Sequence, residues 1–245
     1  MKKIFAVGIG PGSYEQMTIR AVRVLERCDV IIGYTVYVDL IREYFPGKEF
    51  LTTPMRQEEA RCRMAFAEAE KEKCVAMVCS GDAGVYGMAG MLLEIGTGFP
   101  DVEVEIIPGV TAALSGAALL GAPLMGDFCV ISLSDILVSW EQIKARIRAA
   151  VSSGMPVVLY NPSSRRRADH LKRAFEILLE VLPEETVCGI AVNIGRTGES
   201  GRVLTLKELK DTQTDMFTTV FIGNAKTRNI EGRMTTPRGY QRKQT

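Results

Sequence analysis

Residues 74–78, Cys-Val-Ala-Met-Val, form a short apolar run with no polar alternation. Such a run reads as a strand buried on both faces, which belongs in a parallel sheet covered by helices. It leads into Cys79-Ser80-Gly81-Asp82-Ala83-Gly84-Val85-Tyr86-Gly87-Met88-Ala89-Gly90, with one carboxylate and four glycines. Glycine permits positive φ and close approach of backbone to backbone or ligand. In an open parallel α/β sheet, ligands bind at loops beyond the carboxyl ends of strands. The stretch therefore points to an α/β architecture with a ligand loop here; a plain turn opening a glycine-rich helix is the alternative.

The start of the chain repeats the pattern. Residues 3–8 read as a strand, Ile9-Gly10-Pro11-Gly12-Ser13 as the turn that ends it, and residues 17–27 as a helix with an apolar stripe at Ile19, Val22, Val24 and Leu25. Residues 29–33 form a second strand, and a β-α-β order with so short a crossover argues for parallel pairing. The turn imitates a dinucleotide fingerprint but fails it. Ser13 stands where a third glycine is needed, and Gly33-Tyr34-Thr35 where an acid would hold a ribose. No phosphate-cradling Gly-Lys-Ser/Thr occurs either, and Pro11 stiffens the turn while removing a backbone donor. An NAD-type oxidoreductase is thereby disfavoured.

Further strand ends bring more candidates. Tyr34 and Tyr37 follow the second strand and suit substrate contact or simple packing on the sheet. Residues 52–58 read as a helix start leading into a charged, alanine-rich helix over 59–73. Arg61 and Arg63 are expected on its solvated face, and Arg56, in the first turn, is a candidate. A strand over 102–107 ends in Pro108-Gly109-Val110-Thr111-Ala112, with Thr111 as an expected N-cap. A boundary is expected at Gly126-Asp127, giving domains 1–125 and 126–245, the second carrying strands at 128–132, 156–160, 187–193, 202–206 and 217–222 in a mixed sheet. Tyr160-Asn161-Pro162-Ser163-Ser164-Arg165-Arg166-Arg167 places three arginines in the first turn of a helix expected over 165–182. Cations are unfavourable at the positive end of a helix dipole, so the run suits an anionic ligand, with a solvated patch as the plainer reading.

Thirty basic against 29 acidic residues leave a net charge of +1, so no basic field points to nucleic acid or a membrane surface. No membrane span or leader is expected, and the sequence suits a cytoplasmic setting. The six cysteines contain no Cys-x-x-Cys and read as buried thiols rather than disulfides or a metal site. His170 is the only histidine, which excludes a multi-histidine zinc centre; a surface position on its helix is expected, remote from the strand-end rim.

Taken together, the chain from Lys3 to Tyr240 resembles the tetrapyrrole (corrin/porphyrin) methylases. The resemblance rests on Gly8-Ile9-Gly10-Pro11-Gly12, Ser80-Gly81-Asp82, Pro108-Gly109-Val110-Thr111-Ala112 and Phe221-Ile222-Gly223-Asn224. Within the family it is most similar to the precorrin-3B or cobalt-factor III C17-methyltransferases. That rests on Gly33-Tyr34-Thr35-Val36-Tyr37, Met55-Arg56, Gly84-Val85-Tyr86-Gly87-Met88-Ala89, Ile131-Ser132-Leu133-Ser134-Asp135, Asn161-Pro162-Ser163-Ser164-Arg165 and Thr236-Pro237-Arg238-Gly239-Tyr240. Ala83, where many relatives have proline, and Val138-Ser139, where many have Thr-Pro, depart from the pattern. The resemblance implies two α/β domains with a ligand cleft between them, S-adenosyl-L-methionine as methyl donor with S-adenosyl-L-homocysteine as product, an anionic tetrapyrrole substrate, ring contraction, no metal and a homodimer. By position it implies cofactor contacts at Pro11, Gly81, Asp82, Val85, Tyr86, Thr111, Ala112, Leu133, Asn161, Asn193 and Ile222. Tyr37, Arg165 and Arg166 are then substrate-binding candidates, and Tyr34, Arg56 and Asp135 candidates for proton transfer. Other tetrapyrrole methylases, of the precorrin-4 C11 or uroporphyrinogen III type, and a non-catalytic binding module remain open.

Overall fold

The computed structural model describes residues 2–164 and 169–240. It divides into two compact units, residues 1–112 and 113–245.

The first unit is an α/β layer structure. Its elements are β1 (Lys2–Gly8), α1 (Ile19–Arg27), β2 (Val30–Tyr34), α2 (Thr35–Asp39), β3 (Glu49–Thr53), α3 (Glu58–Glu70), β4 (Cys74–Cys79), α4 (Ala89–Gly96) and β5 (Val102–Ile107). The sheet runs β3-β2-β4-β1-β5 and every pairing is parallel. Alternate side chains of a strand point to opposite faces, and both faces here are covered. Ile4, Ala6, Ile32, Val75 and Met77 pack with Cys62, Ala65, Phe66 and Leu92 on one side. Phe5, Val7, Ile31, Ala76 and Val78 pack with Ala21, Val24 and Leu25 on the other. This is why 74–78 carries no polar residue.

Local chemistry sets the boundaries. Helix α1 starts at Ile19 because Thr18 is extended and its hydroxyl accepts the Ala21 N–H at 3.1 Å. Residues 35–39 are a helical turn rather than a loop, and Thr52 and Thr53 end a strand rather than open a helix. Arg56 consequently precedes α3, in a turn at φ 69°, with its N–H donated to Glu58 Oε1 at 3.2 Å.

The second unit holds most of α5 (Ala112–Leu120), then β6 (Gly121–Ala122), β7 (Cys129–Ser132), α6 (Trp140–Ser152), β8 (Val157–Tyr160), α7 (His170–Leu179), β9 (Val187–Val192), β10 (Ser200–Thr205), α8 (Leu206–Leu209), β11 (Thr218–Ile222), β12 (Arg228–Ile230) and β13 (Arg233–Thr235). Its main sheet runs β10-β9-β11-β8-β7, parallel only at β7–β8, and is mixed as expected. A smaller sheet runs β12-β13-β6.

The division between units falls ahead of the expected 125/126 boundary because α5 packs with elements later in the chain. A Cβ on Gly116 would meet the Phe221 ring at 2.9 Å, and one on Gly189 would meet Leu120 at 2.6 Å. Helix α7 is shorter than the expected 165–182; Arg165 and Arg166 lie outside the described residues.

Candidate functional site

Three loops leave the carboxyl ends of adjacent strands β4, β1 and β5 in the first unit, and backbone contacts lock them together. Gly10 and Gly81 exchange N–H···O bonds of 3.0 and 2.7 Å, and Ile9 N–H donates to Cys79 O at 2.9 Å. A Cβ on Gly109 would lie 2.1 Å from Gly81 O and 2.6 Å from Gly8 C, and one on Gly8 would lie 2.7 Å from Gly109 N. Only glycine permits that approach. Gly10 and Gly81 also sit at φ 71° and 70°, in the left-handed region. Gly81 faces Thr111 and Ala112, whose Cα and N would lie 3.4 and 3.6 Å from its Cβ. Pro11, Gly81, Asp82, Thr111 and Ala112 thus share one rim.

Asp82 organises this rim. Its Oδ1 accepts the N–H groups of Gly84 at 2.7 Å and Val85 at 3.2 Å, while Oδ2 accepts Gly109 N–H at 2.9 Å. One carboxylate fixes the turn of its own loop and ties it to the loop after β5. Tyr86 follows at φ 52° and is 60% exposed, with Val85 exposed beside it. Cys79, at the base of the loop, is no nucleophile: burial pushes its thiol up to about 11.

Next to these, at the ends of β2 and β3, the Tyr34 and Tyr37 rings meet edge to face at 5.1 Å. Arg61, expected on a solvated face, is buried behind them at 4% exposure. Its Nε donates to Thr53 Oγ1 at 2.8 Å and Nη2 to Pro54 O at 3.1 Å, and its guanidinium carbon lies 6.0 Å from the Tyr34 ring centre. Arg63, by contrast, is exposed and paired with Glu59. The buried face of α3 includes Arg61, Cys62, Ala65, Phe66, Glu68 and Ala69, so Arg61 lies in phase with the apolar stripe.

In the second unit, Leu133, Asn161 and Asn193 follow β7, β8 and β9, which point the same way, so they share one sheet edge. Asn161 is left-handed at φ 54° and its Nδ2 donates to Ser132 Oγ at 2.9 Å; Asn193 is left-handed at φ 50°. Leu133 is fully buried and donates its N–H to Tyr160 O at 2.9 Å. The Tyr160 hydroxyl accepts Ala113 N–H at 2.6 Å, in the first turn of α5. Ile222 does not join this edge: β11 runs the other way, and Ile222 pairs with Val157 and Cys188 at the opposite end of the sheet.

His170 overturns the surface expectation. It is buried at 3% exposure, and because a carbonyl only accepts, Nδ1–H donates to Leu133 O at 2.9 Å. Nε2 stands 3.4 Å from Asp135 Oδ2, and the ring packs on Trp140 at 5.2 Å. The one histidine therefore braces Leu133 and stands beside Asp135, two candidate site residues.

Left-handed backbone at a non-glycine residue stores strain and collects at functional sites. Among the described residues six non-glycines adopt it: Arg56, Glu72, Tyr86, Asn161, Asn193 and Glu231. Four of these six are candidates from the sequence.

The family described as Tetrapyrrole (Corrin/Porphyrin) Methylases matches residues 3–210. A Salmonella typhimurium protein named probable cobalt-factor III C(17)-methyltransferase is 43% identical over 235 residues, covering 96% of this chain and 98% of that protein. The cobalamin biosynthesis protein CbiHC of Archaeoglobus fulgidus is 42% identical over 242 residues, and there the chain spans about half the relative's length, 53%. Among solved structures, that of the methyltransferase CobJ superposes with a TM-score of 0.88 at 34% identity, covering 96% of this chain and 99% of that one.

Proposed function

The chain belongs to the tetrapyrrole (corrin/porphyrin) methylases, and from that premise we propose that it is an S-adenosyl-L-methionine-dependent C-methyltransferase acting at C17 of cobalt-factor III or precorrin-3B, with ring contraction, in cobalamin biosynthesis. The observation that carries this reading is the 43% identity to the Salmonella protein of that name, end to end in both chains.

The strand-end rim of the first unit fits such a cofactor. Gly81 to Val85 and Thr111 to Ala112 bring backbone polar groups and a hydroxyl together, as an amino-acid moiety and a ribose require. Val85 and Tyr86 offer exposed apolar surface to a purine. The cofactor, when bound, supplies a methyl group on a sulfonium, an electrophile that needs no metal. The residues' task is alignment of donor and acceptor carbon. Asp82, which accepts three backbone amides, is assigned to holding the loop's shape. Leu133 and Asn161 are kept as proposed cofactor contacts on the resemblance alone, and Tyr37, whose ring meets that of Tyr34, is the proposed substrate contact. For the proton movements of ring contraction we assign Tyr34, Arg56 and Asp135 as the candidates. Asp135 is exposed and lies 3.4 Å from His170 Nε2.

We further propose a cytoplasmic homodimer. Six free thiols suit a reducing compartment, and among the described residues no helix is long and apolar enough to cross a membrane. The homodimer rests on the resemblance and is checked by sedimentation.

The test is incubation with methyl-labelled S-adenosylmethionine and either cobalt-loaded or metal-free trimethylated substrate, alongside calorimetry with S-adenosylhomocysteine. One labelled methyl at C17 of a contracted ring is expected. Label at C11 would reassign the protein within the family, and neither binding nor transfer would overturn the reading.

A further inference from the structure

Arg61 is a buried cation without an anion. A guanidinium carries five N–H donors and stays charged. Here one goes to Thr53 Oγ1, one to Pro54 O, and Nη1 has only the soft Met88 sulfur at 3.9 Å, so two donors are left over. Among the described residues no carboxylate lies within 4.0 Å of it. Of the carboxylates on its own helix, Glu59 pairs with Arg63, Glu58 with Arg56 N–H and Glu68 with Lys71 and Lys73, while Glu70 is exposed at the far end of the helix. Removing a charge from water without a counter-ion is strongly unfavourable, and burial of this kind persists where the site receives its partner from outside.

The position says which side the partner comes from. Thr53 ends β3, Tyr34 ends β2, and Met88 closes the loop after β4, three neighbouring strands of the parallel sheet. The guanidinium therefore sits just under the carboxyl edge, where ligands bind in such sheets. Through Met88 it touches the segment after β4 that also carries Asp82, Val85 and Tyr86. The cover over it is soft: Met88, an unbranched and adaptable side chain, is partly exposed at the margin of the core cluster and meets the guanidinium only through its sulfur.

We propose that Arg61 is an anchor for a carboxylate side arm of the substrate, which takes the two remaining N–H groups when the Met88 side chain swings aside, with the Tyr34 ring as the wall of the site. This rests on the methylase reading, which supplies a polycarboxylate macrocycle as ligand; Thr53 and Pro54 aim the fork, and bidentate pairing favours arginine over lysine.

Two variants test it, with cobalt-factor III and its peripheral methyl esters as probes. Arg61→Gln is expected to raise KM for the acid about tenfold or more with kcat within about twofold, to leave S-adenosylhomocysteine affinity unchanged, and to lose its difference from wild type on the ester. Met88→Glu, nearly the same length, offers Arg61 an internal carboxylate. It is expected to raise the melting temperature of the ligand-free protein and to raise KM by competition, a readout available even where Arg61→Gln fails to fold. Equal weakening of acid and ester by Arg61→Gln, or a Met88→Glu protein that melts lower with KM unmoved, overturns the anchor. Failure of wild type to bind S-adenosylhomocysteine or to methylate would instead strike the methylase reading itself.

Discussion

Gly109→Ala probes how the rim is built. The new Cβ would sit 2.1 Å from Gly81 O and 2.6 Å from Gly8 C, both backbone atoms, so no side-chain rotation relieves the clash. The loop after β5 must retreat by about 1 Å to restore ordinary contact, and overpacking of this kind costs about 1–3 kcal/mol. The retreat also stretches the Gly109 N–H bond to Asp82 Oδ2, now 2.9 Å, and a hydrogen bond to a charged group is worth about 1.5–3 kcal/mol. The sum is about 2.5–6 kcal/mol, or roughly 5–24 °C in melting temperature for a chain of this size. Gly90→Ala is the internal control. It lies in α4 with nothing within 4 Å of the added Cβ, and helix propensity predicts a gain of about 0.5–1 kcal/mol. Thermal melts of both variants, with S-adenosylhomocysteine titrations on the same preparations, measure the contrast. A Gly109→Ala protein that melts within about 2 °C of wild type and binds the ligand equally well would refute the locked-loop argument.

Asp82→Ala removes the acceptor of three backbone amides and is expected to weaken S-adenosylhomocysteine binding about tenfold or more. Asp82→Asn keeps one oxygen for Gly84 and Val85 and should lose less; calorimetry giving wild-type affinity for both would contradict the role assigned to this carboxylate. His170→Phe keeps the packing on Trp140 but abandons Leu133 O and Asp135, at about 2 kcal/mol in urea unfolding. His170→Asn, which restores a donor near the Nδ1 position, should recover part of that, and an undiminished His170→Phe protein would show the brace to be idle. Burial pushes the thiols of Cys79 and Cys188 up to about 11 and about 12, so at pH 8 both remain protonated. Ellman's reagent should reach them only after unfolding, and prompt labelling of either in the native protein would count against the buried-strand placement.

The legible part of the sequence is the part written in local physical signals. The first sheet was readable because strands such as 74–78, buried on both faces, leave an unbroken apolar run, and because strand-end glycines at 8, 10, 81 and 109 mark where backbones must touch. Strand direction in a mixed sheet is not local. Ile222 closes a strand just as Asn161 and Asn193 come after theirs, yet β11 runs opposite to β8 and β9, which carries Ile222 to the far edge. The unit boundary was missed for a related reason: α5 looks like the natural end of the first β-α series, and only the contacts of Gly116 with Phe221 show where it packs.

Arg61 and His170 share a different cause. Each is an ionisable residue lying in phase with an apolar stripe, Arg61 with Cys62, Ala65 and Ala69, and His170 with Leu171, Ala174, Phe175 and Leu178. A window full of Glu, Arg and Lys reads as a solvated face because charge density is averaged around the helix, although only the phase of each residue decides its burial. Reading phase residue by residue would have placed both inside. Their neighbours then become informative. A charged or titratable group is kept in an apolar layer when something polar is held there, and each of these reaches a residue already named as a candidate: Tyr34, from the strand ends, beside Arg61, and Leu133 and Asp135, from the resemblance, against His170. In each unit the buried ionisable group thus points at the strand-end edge that carries the candidate residues, and it does so by a signal independent of any motif.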